Sequence, residues 1–391
     1  MCSEGVADRA IFLGVYLLPL LTTIPIFCLM NNRFLMLITA FVMVSANLFA
    51  QGERKDKTAV TYEEIYDEPY SINKLFVGLM PLYGELFATS VNAGFGLDVQ
   101  YYHKDKFDIH AQFRKSYSAT FFDQARNQAT TQDQSSVDNR VQQFNYYELG
   151  ATYHIKDFEE SSKTKMFLYK NSYKGNKWSA RVPLHAEVPC KVRKIYGLRF
   201  GGILWNSATD LDRALKAQEI AHKDLKNLTN PEDLDGMPTQ EYNKSGTLQP
   251  VHLFTNVRSM GGYIGGSMSW FKNVAVDFDK FEEGVDNLMF TAYFDILVAP
   301  SITLDNISYT EKDNNGLPLS RSVYSVDAVK TKPIGFRLGM EGRFNRTFGW
   351  SYGGEIGYRP SIQSRGFYAA LKLCFPVFGT NLDYKVESFG K

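Results

Sequence analysis

Apolar and polar residues alternate strictly between Ile334 and Phe344. Ile334, Phe336, Leu338, Met340, Gly342 and Phe344 fall on one side, and Gly335, Arg337, Gly339, Glu341 and Arg343 on the other. A period of two is that of a β-strand, whose successive side chains point to opposite faces. The pattern resumes after Asn345–Thr347, with Phe348, Trp350, Tyr352, Ile356 and Tyr358 opposing Ser351, Gly353, Glu355 and Arg359. A third run, Phe367–Val377, sets its apolar positions against Lys372 and Cys374. Earlier runs read the same way: Val91–Tyr101, Phe107–Phe113, Tyr147–Ile155, Trp178–Val188 and Tyr196–Leu204. Asn73–Glu85, Lys165–Tyr173, Val251–Trp270, Val274–Lys280, Leu288–Val298 and Ser301–Tyr309 complete the set. The pattern predicts about 14 strands, within a range of about 12–16.

The connections alternate in length. Lys104–Lys106, Phe271–Asn273 and Asn345–Thr347 are minimal turns, whereas Asp123–Gln142, Asn206–Gly246 and Thr310–Lys332 are long and polar. If the short turns share one end, the long loops share the other, and an even strand number returns the C-terminus to the short-turn end. The longest loop contains one helical stretch, Asp210–Leu228, with Leu211, Ala214, Leu215, Ala221 and Leu225 at helical spacing and Thr209 or Asp210 as N-cap. It is expected to fold its own loop, over or beside the mouth of a barrel.

The N-terminal region has a different grammar. Arg33, the apolar core Phe34–Val44 and the small residue Ala50 match a signal peptide over residues 30–50. A second apolar run, Ala10–Met30, precedes it and is interrupted by Pro19 and Pro25, which leaves residues 1–29 as an upstream extension or as one arm of a helical hairpin. Residues 51–71 read as a polar tail, 72–378 as the barrel and 379–391 as a C-terminal tail.

An export signal, a polar strand face mixing glycine with charges of both signs, aromatic residues near strand ends, and strand lengths suited to a bilayer all favour a membrane barrel over a soluble one. The final strand, GFYAALKLCFPVF ending at Phe378, resembles the Gly- and aromatic-rich terminal strands of Gram-negative outer-membrane β-barrel proteins, although 13 residues follow it. The resemblance is architectural and spans residues 72–378. It implies an all-β, closed antiparallel transmembrane β-barrel with one helical loop insertion, located in the outer membrane. The implied partners are membrane lipid and the outer-membrane insertion machinery, with an envelope protein or a second copy of the chain as further possibilities.

Composition refines this. The net charge is +1, so no basic field points to nucleic acid. The 23 Tyr and 29 Phe suit interfacial belts. Cys190 and Cys374 are free to pair only if the fold brings them together. No CxxC, HxH, HExxH or GxSxG occurs, so no metal, cofactor or catalytic site is expected. The pair His252 and Ser267 is the weak exception. The glycine-rich MGGYIGG, Met260–Gly266, lacks the Lys-Ser/Thr of a phosphate loop and fits a bent or closely approached strand better. His110, His154 and His185 fall on polar faces. The candidate lumen-lining residues are Asp98, His110, Arg114, Glu148, Arg181, Glu187, Arg199, Arg337, Glu341, Arg343, Glu355, Arg359 and Lys372. Their two-sign character points first to a porin-like passage for a small polar or amphipathic solute, with a non-transporting scaffold or surface-binding component of an envelope complex, its lumen filled by ion pairs, as the alternative.

Overall fold

The computed structural model describes residues 61–380, except 89, 104–105, 119–134, 169–183, 233–235, 244, 280, 314–316 and 347–348. The expected signal peptide, the upstream run and the residues after 380 lie outside the described part, as does Arg181.

Ten strands close into an antiparallel barrel. They are β1 (Leu75–Phe87), β2 (Ser90–His103), β3 (Phe107–Ser116), β4 (Asn145–Leu168), β5 (Leu184–Asp210), β6 (Phe254–Phe271), β7 (Leu288–Leu304), β8 (Ile334–Phe344), β9 (Ser351–Tyr358) and β10 (Phe367–Thr380). Each strand pairs with its neighbours in the chain, and β10 pairs with β1, giving a simple up-and-down meander. Both ends of the barrel sequence therefore lie at one rim, where Leu75 pairs with Thr380. The β10–β1 seam is the least regular joint: its register shifts between Leu373 and Phe375 and again between Pro376 and Phe378. Each seam strand carries a proline, Pro81 in β1 and Pro376 in β10, and a proline cannot donate to a ladder.

The barrel has ten strands rather than about fourteen. Tyr147–Ile155 and the start of Lys165–Tyr173 share the 24-residue β4, joined by the polar stretch 156–164, and the Tyr196–Leu204 run and the end of Trp178–Val188 belong to the 27-residue β5. The Ser301–Tyr309 run divides between the end of β7 and a separate strand, Ile307–Lys312. Val274–Phe278 leaves the barrel altogether. It joins Tyr62–Asp67 and Gly284–Asp286 in a small antiparallel sheet.

That sheet sits at the short-turn rim. There β4 and β5 continue past their neighbours, since β3 stops pairing at Tyr153 and β6 at Arg193. Residues 184–192 pair with β4 alone, a projection of about 30 Å at the usual rise per residue. Met166, Val188, Cys190 and Val192 of the projection pack on Val274, Val276 and Phe278 of the sheet.

The opposite rim carries the long loops, which form a lid. Its helix is shorter than expected. The α1 helix runs only from Leu211 to Ala217, capped by Asp210, whose carboxylate accepts from the Arg213 amide. Glu219 at φ +58° ends it, and residues 222–224 form a single 3₁₀ turn. Leu211, Ala214 and Leu215 are buried with Leu225, Leu253, Ile307, Tyr324, Val326 and Ile362 in a core that continues into the barrel through Phe87, Phe144, Trp205 and Tyr368.

The wall is inside-out relative to a soluble barrel. Leu79, Leu97, Leu149, Phe200, Ile264, Phe294, Phe336, Leu338, Met340 and Leu371 point outward and are exposed, while Arg114, Arg337 and Asp295 are buried at 0–1% exposure. No helix among the described residues is long and apolar enough to cross a membrane, which says nothing about strands.

Candidate functional site: the filled lumen

Barrels of about eight strands are just wide enough for side chains to fill them. Ten strands leave slightly more room, and long Arg, Tyr and Glu side chains occupy it. The alternation that turns Phe336, Leu338 and Met340 outward turns Arg337 inward. There its guanidinium forms a fork on Glu148, with Nη1 donating to Oε2 and Nη2 to Oε1, both at 2.8 Å. Its Nη2 also donates to Asp295 Oδ2 at 2.7 Å and its Nε to the same oxygen at 3.0 Å. Arg199 Nε donates to the second oxygen of Asp295 at 3.1 Å. Glu148 is further held by the Tyr146 hydroxyl at 2.6 Å and by His110 Nε2 at 3.1 Å, which in turn meets the Tyr263 hydroxyl at 2.9 Å. Six strands are thus tied across the lumen by a network centred on one arginine.

A second chain of charges runs beside it. Arg359 grips Glu85 through two hydrogen bonds of 3.0 Å. Arg114 reaches Glu85 at 3.3 Å and faces Glu355 at 3.8 Å. Lys372 bridges Glu355 at 2.8 Å and Glu341 at 2.7 Å. Toward the short-turn rim, Arg343 meets Asp98 at 3.2 Å and His154 meets Asp108 at 3.1 Å. Tyrosine rings stack on the cations: Arg114 over Tyr146 and Arg199 over Tyr293, each at 4.0 Å, and Arg359 over Tyr368 at 4.3 Å. Each pairing offsets the cost of burying a charge, which is large for an unpaired ion.

Eleven of the thirteen candidate lumen residues lie on this inner face. The exceptions are Arg181, outside the described residues, and Glu187, which is a correction. Glu187 is exposed and pairs with Lys165 on the projection beyond the barrel, because β5 is far longer than the run that suggested it. His185 lies on the same projection. Sequence reasoning omitted Glu85, Asp295, Asp108 and Tyr263. Period-two reading of Leu288–Val298 places Asp295 inward beside Tyr293, so that signal was present. Tyr263 sits in the glycine run and needs the close approach of Gly150 and Gly201, where an added Cβ would come within 1.9 Å of its hydroxyl and 2.7 Å of its ring, respectively.

Apolar plugs bound the charged layer. The loop lid closes one end. At the other, Ile72, Phe76, Tyr102, Ile195, Phe271 and Met289 form a second cluster, and residues 68–73 cross the mouth. Asn273 Nδ2 donates to the carbonyls of Glu68 and Ser71, and the Asn73 amide donates to Asn345 Oδ1. Between the plugs lies a small polar cavity of about 30 Å³, lined by His110, His154, Gln100, Gln112, Thr152, Ser267 and Ser269 among others.

Other candidate chemistry is dispersed. Ser267 faces this cavity, whereas His252 lies at the lid against Asp212, so the two are not together. Cys190 and Cys374 are separate buried thiols, the first on the projection and the second in β10, not a disulfide. Among the described residues no cluster of three His, Cys, Asp or Glu is arranged to hold a metal. No known protein family matches the chain, and no curated protein matches it either.

Proposed function

We propose that this protein is an integral outer-membrane β-barrel with a closed lumen, a non-transporting component of the cell envelope that acts through the platforms at its two rims. The membrane half of the reading is supported by the exposed apolar wall around a charged interior. The observation that carries the second half is the lumen, blocked in succession by an apolar lid, a layer of reciprocal ion pairs and an apolar plug. A passage would present water along its axis, whereas here the central arginine is saturated by carboxylates from facing walls. The loop lid and the short-turn sheet then become the working surfaces, each suited to an envelope protein partner.

Reconstitution in planar bilayers tests this. The expected record is a flat current at moderate voltage, with inserted protein verified by recovery from the membrane. Steady unitary conductance would overturn the closed-lumen reading.

A second reading is gated passage of a small polar solute, and the cavity between the plugs is the observation that favours it. It requires residues 68–73 and Phe76 to leave the short-turn mouth. Deleting residues 61–73 would then produce conductance that the intact chain lacks, whereas a closed scaffold stays silent because the ion-pair layer remains.

A further inference from the structure

Resting on the membrane reading above, this inference concerns the outer wall below the loop lid. Strand register sets three rows of outward residues across β4, β5, β6 and β7. The row nearest the lid is polar: Asn145, Asn206, Arg258 and Thr303. The next is Tyr147, Leu204, Met260 and Ser301, and the third is Leu149, Gly202, Gly262 and Val298. The two glycines are cross-strand partners, so the wall is dented between Leu149 and Val298.

The dent is not a packing requirement at Gly202. A Cβ there would meet nothing closer than 3.8 Å, although glycine weakens a strand. Gly84 and Gly354 also face outward, but Leu371 stands between them as the partner of both.

Above the polar row, residues 135–143 fold down as a roof. Val137 and Val141 pack on Ala208 and Phe254. Asn206 Nδ2 donates to Gln142 Oε1 at 3.3 Å, and Asn256 Nδ2 donates to the Arg140 carbonyl at 2.9 Å. The upper two rows, from Asn145 and Tyr147 to Ser301 and Thr303, line an open groove of about 280 Å³, and the glycine dent lies directly below it. The groove has a roof, an exposed cation where the apolar wall ends, and an apolar dent below.

We propose that this groove holds one anionic, phosphate-bearing lipid. Its phosphate sits at Arg258 with the Ser301 and Thr303 hydroxyls beside it, and the first segment of an acyl chain lies in the dent over Gly202 and Gly262. The vertical order of cation, hydroxyls and dent is that of a lipid standing in a leaflet, and the single positive charge selects an anionic headgroup over a zwitterionic one.

Native mass spectrometry of the full chain in detergent tests this, with phosphatidylglycerol and phosphatidylcholine of identical chains as probes. The intact protein should retain one phosphatidylglycerol in preference to phosphatidylcholine. Arg258→Ala should cut that preference about fivefold, the worth of one arginine near a membrane surface, while Arg258→Lys keeps most of it. Gly202→Leu should weaken both lipids alike. Folding of each variant is checked by the mobility of the unboiled band, and the Ala/Lys pair carries the test if Gly202→Leu does not fold. Equal retention by the intact protein and Arg258→Ala would overturn the groove. So would displacement of the lipid by inorganic phosphate at lipid-like concentrations. Failure of the intact chain to enter liposomes at all would instead overturn the membrane reading, so the two failures are distinct.

Discussion

The middle of the lumen and the loop lid are both buried, yet they are held by opposite means. In the lumen, Arg337, Glu148, Asp295 and Arg199 form a lattice in which each charge needs its partners. In the lid, Leu211, Leu215, Leu253 and Ile307 form an ordinary apolar core. Apolar packing tolerates partial loss, because neighbours relax into the space left. A charge lattice does not, because removing one member strands the others without water. The lumen is therefore the stiffer and more fragile region, and the lid the more forgiving one.

The largest expected effect tests that fragility. Arg337→Met leaves Glu148 and Asp295 buried without their main cation, and the cost is on the order of 3–5 kcal/mol. It should appear as a marked fall in the temperature at which the unboiled barrel band is lost on gels. An unchanged temperature would mean that the lumen charges are solvated, and the contrast with the lid would collapse.

A smaller and more local effect is expected in the lid. Leu215→Ala removes a side chain that is 2% exposed. The loss is about 3 kcal/mol, by analogy with other buried leucines. Hydrogen exchange should quicken across residues 211–253 while the barrel melts as before. A parallel fall in barrel melting would show that lid and barrel unfold as one unit.

The smallest effect is a pH dependence confined to the lid. Asp212 of α1 accepts from the Leu253 amide at 2.9 Å and contacts His222 Nε2 at 3.3 Å. The hydrogen bond to Asp212 holds the His222 pKa above its ordinary 6.5, against the opposing effect of burial. A raised histidine pKa stabilises the fold fully below the unfolded value, and that contribution is lost as pH rises through the folded value. The Leu253 amide, corrected for intrinsic exchange, should therefore be better protected at about pH 5.5 than at about pH 8. His222→Gln should flatten this dependence, and a dependence that survives the substitution would assign it to another group.

The two regions also differ in how far the sequence reveals them. Alternation in Ile334–Phe344 places Phe336, Leu338 and Met340 on one face and Arg337 and Arg343 on the other, because one apolar face per strand is what the period reports. It does not say which face is inside. Strand number fails where that signal vanishes: residues 156–164 carry polar side chains on both faces, so β4 appears as two strands separated by a loop. The lid is less legible still. Its core joins residues from 211 to 362 that lie in three separate loops, and the left-handed Glu219 that ends α1 leaves no mark on the helical spacing. The ion pairs lie between: each charge is readable, but its partner is fixed by distance around the ring, as Glu85 with Arg359 shows across 274 positions.

The β10–β1 seam has a bearing on how the protein is made. Every other joint in the ring links strands that follow one another in the barrel order. The seam joins Leu75 to Thr380, and closing so long a loop carries the greatest entropic penalty in the molecule. It also has the poorest ladder, with two register shifts and a proline on each side, so little is gained until the rest of the ring is in place. Ring closure is therefore expected to be the last pairing to form when the chain folds. Until it forms, β1 and β10 present open edges, which are templates for pairing with another chain.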